Sequence, residues 1–240
     1  MRTHVERVDR EREAVIEKRT AYDRFRTRLG AISPRRTGGT GGDTLVSSGG
    51  TAGAGPVREA FAETVAPTCE DRPVSELLAA ELGEEVATAL ATAGLSPPLY
   101  RALESESGRR RAELAAMERA LDAEADSLER ASDRIEPIRK WLIETNETPL
   151  SACEFDELRA RHERLAGFRA DCGAIAVDRQ EHLGRTTSAG GRAGVRHRDL
   201  PYYLYESFPT DHPVLVTVAR LDDLCGECQR VVRSHLVRRV

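Results

Sequence analysis

The chain has 240 residues, of which 32% are charged, 40% hydrophobic and only 5% aromatic, and its formal net charge is −4. This balance suits helices with thin apolar seams rather than a thick aromatic core, and it supplies no bulk basic field for nucleic acid. The longest purely aliphatic run, Val214–Val216, is far too short to span a bilayer, and MRTHVERVDREREAV lacks the apolar centre of a signal peptide, so a soluble cytoplasmic protein is expected.

The first predicted element is a helix over residues 1–32. Val8, Val15, Tyr22 and Leu29 recur every seven residues, with Val5, Phe25 and Ile32 beside them and charges elsewhere. Pro34 ends it, because its ring disfavours helical geometry at the preceding residue. Residues 33–56, rich in glycine, serine and threonine, read as a flexible linker. A phosphate-binding loop needs a lysine followed by serine or threonine at a helix start, and this linker has no lysine.

Residues 57–185 read as the core of a helical hairpin. VREAFAETVAP and PVSELLAAELGEEVATALATAG each predict one short helix, the second with Leu77, Leu78, Leu82, Val86 and Leu90 on its apolar side and Gly94 as its stop. From Leu99 the longest periodic segment begins. Leu114, Met117, Leu121, Leu128, Ala131, Ile135, Ile138 and Leu142 follow the 3-4 spacing of a coiled-coil seam. Glu124 occupies a seam position that should be apolar, and Ser107 and Arg110 fall in earlier ones. Pro137 removes a backbone donor and predicts a kink near residue 133, with Trp141 just past it.

NETPLSACEF reads as a turn into a helix from Glu154 to Leu183. Phe155, Leu158, His162, Leu165, Phe168, Cys172 and Ile175 trace its inner face. A short turn between two long amphipathic helices predicts an antiparallel hairpin. Residues 186–198 form a basic, glycine-rich loop, and residues 199–240 a C-terminal helical segment. Asp199 is placed to cap a short aromatic helix, and Thr210 or Asp211 to cap the last one, with Pro213 in its first turn. β-Branching would permit a strand over Val214–Val218, but the helical period through Leu221, Cys225, Cys228 and Val232 favours a helix. The expected fold is all-α: an elongated antiparallel hairpin or coiled coil on which the N- and C-terminal helices pack.

Chemistry-bearing residues are sparse. The chain has five cysteines, an odd number that argues against a disulfide framework. Cys225 and Cys228, in CGEC, fall inside the apolar stripe of the last predicted helix, where free cysteine packs as a small hydrophobe. A zinc site needs four ligands and this pair supplies two; Cys172 joins them only if its helix packs against theirs. The candidate metal ligands are therefore Cys225, Cys228 and Cys172, with zinc the ion considered and packing the preferred reading. CGEC also has the spelling of a dithiol redox motif, without the βαβ context. The six histidines include no helical i, i+4 pair. His162 reads as a hydrogen-bonded core residue. Arg196, Arg198, Arg230, Arg233, Arg238 and Arg239 read as a solvated face, and Tyr202, Tyr203 and Tyr205 as packing residues.

Thirty-four of the 36 basic residues are arginine. IEPIRKWLIETNETPL, DRQEHL, LPYYLYESFPTDHPVLVTVARLD and CGECQRVVRSHLVRR, with AELGEEVATAL and HVERVDREREAV, together resemble a family of haloarchaeal proteins without an assigned function. The resemblance covers most of the chain outside the linker and implies an all-helical, coiled-coil-bearing protein. It carries no catalytic residue. With no nucleophile–base pairing in view, the expected function is a non-enzymatic scaffold or protein-interaction module, its partner another copy or another protein. A metal- or redox-linked sensor is the alternative, and a nucleic-acid-associated role a weaker one.

Overall fold

The computed structural model describes residues 2–32, 54–189 and 200–238. Among them are eight α-helices, two short 3-10 turns and no strand. The helices are α1 (Arg2–Ala31), α2 (Ala54–Thr64), α3 (Val74–Leu82), α4 (Glu84–Thr92), α5 (Pro97–Thr145), α6 (Phe155–Ala189), α7 (Leu200–Tyr205) and α8 (Pro213–Val237). The linker glycines before Ala54, Asp199, Arg196, Arg198 and Arg239 lie outside the described residues. None of the described helices is long and apolar enough to cross a membrane.

Local chemistry explains several of the helix starts and stops, and the structure corrects four expectations. PVSELLAAELGEEVATALATAG forms two helices, because Gly83 adopts φ 94° and ψ 148° between α3 and α4. That region is open to glycine and closed to residues with a Cβ. Gly83 still donates to the Ala79 carbonyl and accepts from the Ala87 amide, so the break leaves its own groups paired. At α8 the capping residue is His212 rather than Thr210 or Asp211. The His212 amide donates to Thr210 Oγ1 at 3.1 Å, its carbonyl accepts from Val216, and Pro213 takes the first helical position. Val214–Val218 is helical, with Val214 and Val218 buried. α5 stays helical through Pro137, whose ring lies at an exposed position. α6 runs past Leu183 to Ala189. Phe155, expected inside, is 43% exposed in the first turn of α6.

Packing divides the chain into two compact units, Glu11–Arg119 and Met1–Arg10 with Ala120–Val240. In the first, Tyr22, Phe25 and Leu29 of α1 join Val57 and Phe61 of α2, Leu77, Leu78 and Leu82 of α3, Leu90 of α4 and Leu103 of α5 in one core. Phe25 and Phe61 meet edge to face at 5.7 Å. The polar seam positions, Ser107 buried and Arg110 half-buried, have partners here. Ser107 Oγ accepts from Arg26 at 3.1 Å, and Arg110 Nε donates to Glu81 at 3.0 Å. Glu81 also accepts from Lys18 at 2.6 Å and the Tyr22 hydroxyl at 2.9 Å.

In the second unit the C-terminal part of α5 and α6 run antiparallel. Trp141 meets Phe168 at 5.2 Å, Arg134 pairs with Asp178 and Glu124 with Arg179, so residue numbers fall along one helix as they rise along the other. α8 is antiparallel to α6 in turn, with Arg169 on Asp222 at 2.9 Å and Gln229 donating to the His162 carbonyl at 3.3 Å. Of the seam, Leu121, Leu128, Ala131, Ile135 and Ile138 are buried in this unit and Leu142 half-buried. His4 of α1 stacks on Phe208 at 4.3 Å, just after α7.

Candidate functional site

Glu124 is the centre of a buried polar cluster. Its carboxylate, on a residue 2% exposed, accepts from Arg179 Nη1 at 2.9 Å and Nη2 at 2.6 Å, and from the Tyr205 hydroxyl at 2.5 Å. His182 Nε2 lies 2.9 Å from its second oxygen. Arg179 Nη1 also donates to Ser127 Oγ at 2.9 Å. Burial by itself would raise the Glu124 pKa; the bonds from His182, Arg179 and Tyr205 and the Arg179 charge outweigh it and hold the carboxyl down to about 2. An ionised carboxylate only accepts, so His182 must present Nε2–H to it. Burial and the adjacent Glu124 charge push the Tyr205 hydroxyl well above its ordinary range, so it keeps its proton.

A general base needs a pKa near the working pH and a free lone pair aimed at substrate. Glu124 has neither, and the cluster instead ties α5, α6 and α7 together. A cleft of about 570 Å³ between α5 and α6 adjoins it at Ser127 and Arg179. Arg130, Arg134 and Arg185 line that cleft beside Asp133, Asp178 and Glu181, so the opposite charges offset one another.

The cysteines divide by environment. Cys225 and Cys172 are buried in the α6–α8 layer, and Cys228 is half-buried. Burial pushes the Cys225 thiol up to about 11, and the neighbouring Cys172, Cys228 and Asp222 add to the shift. Cys228 and Cys172 are raised as well, each chiefly by burial. Dithiol catalysis rests on a lowered thiol pKa, the reverse of this environment. Among the described residues no group of three or more His, Cys, Asp or Glu side chains is arranged to hold a metal ion.

Other sequence-predicted residues scatter. His162 is half-buried, and its Nε2 has no hydrogen-bond partner among the described residues. The histidine bonded in the core is His182, which sequence reasoning passed over. Tyr205 is buried on Glu124, whereas Tyr202 and Tyr203 are 60% and 50% exposed. Arg7 lies over the Tyr203 ring at 5.9 Å. Arg230 and Arg233 are exposed on α8, and Arg238 is exposed just past its end.

Cys228 also lines a groove of about 380 Å³ at the turn end of the hairpin. Trp141, Leu142 and Thr145 of α5 and Thr148–Leu150 of the turn form one wall, and Leu224, Glu227, Cys228, Val231 and Val232 of α8 the other. Arg161 and Leu165 of α6 lie between them. Leu224 and Val231, seven residues apart and so on one side of α8, are 46% and 50% exposed. Of this groove the sequence reading named Trp141, Leu142, Leu165, Cys228 and Val232, without bringing them together. Its remaining walls come from segments far apart in the chain and carry no motif.

A family model described as a domain of unknown function, DUF7260, matches residues 1–229. The chain belongs to the DUF7260 family. No curated protein and no solved structure matches it. The DUF7260 match takes in one compact unit whole and the other as far as residue 229, with the polar cluster around Glu124 and all lining residues of the groove but Val231 and Val232.

Proposed function

We propose that this DUF7260 protein is a non-enzymatic helical interaction module and that the groove between α5, the turn and α8 is its docking surface. One observation carries the reading. Leu224 and Val231 stand half in solvent beside Trp141, Leu142 and Leu150 around a concave floor. Apolar, concave and bounded by two helices, such a surface suits an amphipathic helix with apolar anchors at i, i+3 or i+4, and i+7. The Glu124 cluster supports the role by fixing α5, which gives one wall, against α6, which lies between the walls.

The test is a double variant, Leu224→Asp with Val231→Asp, compared with wild type for stability and for chemical cross-linking to itself and to proteins of its source cell. Both side chains are half exposed, so the variant is expected to fold with little loss while losing its cross-linked partner. A folded variant that keeps the partner would remove the groove from the function, and a wild type that cross-links to nothing would remove the module.

One observation favours the sensor reading as an alternative: Cys172 and Cys228 lie close enough to Cys225 to shift its thiol. Elemental analysis with a thiol count on anaerobically purified protein decides it. Stoichiometric zinc or iron, with thiols that react only after chelation, would carry that reading. Absence of metal, with Cys225 and Cys172 reacting only on unfolding, would end it.

A further inference from the structure

Two adjacent strips of α8 narrow what fits the groove. Leu224, Cys228 and Val231, at i, i+4 and i+7, form an apolar strip that lines it, with Leu224 and Val231 exposed and Cys228 half-buried. Asp223, Glu227 and Arg230, each one residue earlier, form a polar strip beside it, and all three are exposed. This strip carries both signs. Glu227 and Arg230 hold each other loosely, at 3.9 Å with both side chains about two-thirds or more exposed, so they are free to re-pair. A contact between like copies across a two-fold axis sets one patch against itself, and the patch must then be complementary to itself.

Resting on the docking reading above, we infer that the helix seated on this groove is α8 of a second copy of the chain, packed antiparallel across a two-fold axis. α8 supplies the anchors that reading asks for, in Leu224, Cys228 and Val231. An axis perpendicular to both helices sets apolar strip on apolar strip and polar strip on polar strip. With Leu224 opposite Val231 of the second copy, Arg230 stands at the level of Cys225, midway between Asp223 and Glu227 of that copy and about 3 Å along the axis from each. The register chosen by the apolar residues therefore places each arginine between two carboxylates, twice over by symmetry. The two Glu227 side chains come near one another beside the axis, where both arginines flank them. A helix bearing charges of one sign would leave either the carboxylates or the arginine of this strip opposed. Charges of this kind set register and partner choice more than they add affinity.

The test is sedimentation equilibrium of the full-length protein at about 0.1 M salt, where surface charges still act over about 10 Å. One helix pair makes a small interface, so a dimer is expected with a dissociation constant of about 100 µM or tighter. Leu224→Asp with Val231→Asp should leave a folded monomer. Two charge variants at exposed positions read the register. Arg230→Glu sets acid against acids, and Asp223→Lys with Glu227→Lys sets cation against cations. Each variant alone is expected to dimerise about tenfold more weakly, and the two mixed should pair at wild-type strength, since every charge then meets its opposite. A wild type that stays monomeric at about 1 mM would overturn the second copy as occupant. The docking reading would then stand only if another protein cross-links through Leu224 and Val231. A dimer that survives the two Asp substitutions would place self-association elsewhere and overturn the inference. A dimer lost in that variant, but with charge variants that mixing does not restore, would leave the groove as a docking surface and overturn the antiparallel contact.

Discussion

Glu124 is ionised where burial penalises charge, and the penalty is met by Arg179, His182 and Tyr205. Replacing it with glutamine leaves the Arg179 guanidinium, whose side chain is 1% exposed, without its counter-charge. Breaking a buried pair on one side costs about 3–5 kcal/mol, and urea unfolding of Glu124→Gln measures it. The carboxyl is held below its unfolded value of 4.5, at about 2. A depressed carboxyl stabilises the fold fully above its unfolded pKa and loses that contribution as pH falls through the folded pKa. Acid should therefore remove about 3 kcal/mol between roughly pH 4.5 and pH 2. In Glu124→Gln that share of the acid loss should vanish, which stability measured across the window reads directly. Glu81 is the corresponding group in the other unit, also lowered: burial opposes the shift, and bonds from Arg110 and Lys18 overcome it. Both sites were half legible in the sequence. A polar residue at a seam position (Glu124, Arg110) signals that something polar must meet it, but the answering Arg179, His182 and Tyr205 carry no such mark. Their roles depend on which helix packs where, and periodicity within one helix is silent on that.

At the scale of the element, the break between α3 and α4 rests on one backbone conformation. A Cβ added at Gly83 would meet nothing within 4 Å, so Gly83→Ala tests the φ of 94° free of any steric clash. A loss of about 1–3 kcal/mol is expected, the cost of holding a Cβ-bearing residue in this region; an unchanged denaturation midpoint would mean that the two helices tolerate another geometry there. Pro137 poses the opposite case. It sits in the interior of a 49-residue helix at an exposed position, lacking the amide that would bond one turn back. Pro137→Ala should stabilise the protein by up to about 3 kcal/mol, the full propensity difference in a helix interior, read as a higher urea midpoint. Helix positions were readable from sequence because both the 3.6-residue period and the stop signals are local. The Gly83 break was missed because Leu82 and Val86 keep the period across it. The α8 cap was misplaced because His212 has its carbonyl, not its side chain, in the capping role.

Across the whole molecule, charge is abundant and mostly superficial. Pairs such as Arg139–Glu136 and Arg159–Glu163 lie on single helices with both side chains well exposed, where ion pairs add little and salt screens them. The Arg179–Glu124 pair is insulated from solvent ions by its burial. Urea unfolding at about 0.1 M and about 1 M salt, Debye lengths of roughly 10 Å and 3 Å, should shift wild type and Glu124→Gln by the same amount. A larger salt effect in the wild type would mean that ions reach the cluster. An all-helical chain with a hairpin was determined by the sequence itself, because apolar spacing dictates which side of each helix must leave water, and Pro, Gly and Ser mark where each one ends. The tertiary structure alone decided the partners: that Glu124 is a satisfied charge, that Cys225 is sealed against α6 while Cys228 opens on a groove, and that Trp141, Leu224 and Val231 share one surface. The physical reason is that helical period is a property of neighbours along the chain, whereas burial, charge pairing and concavity belong to residues brought together from distant parts of it, as Glu124 and Tyr205 are, 81 residues from one another.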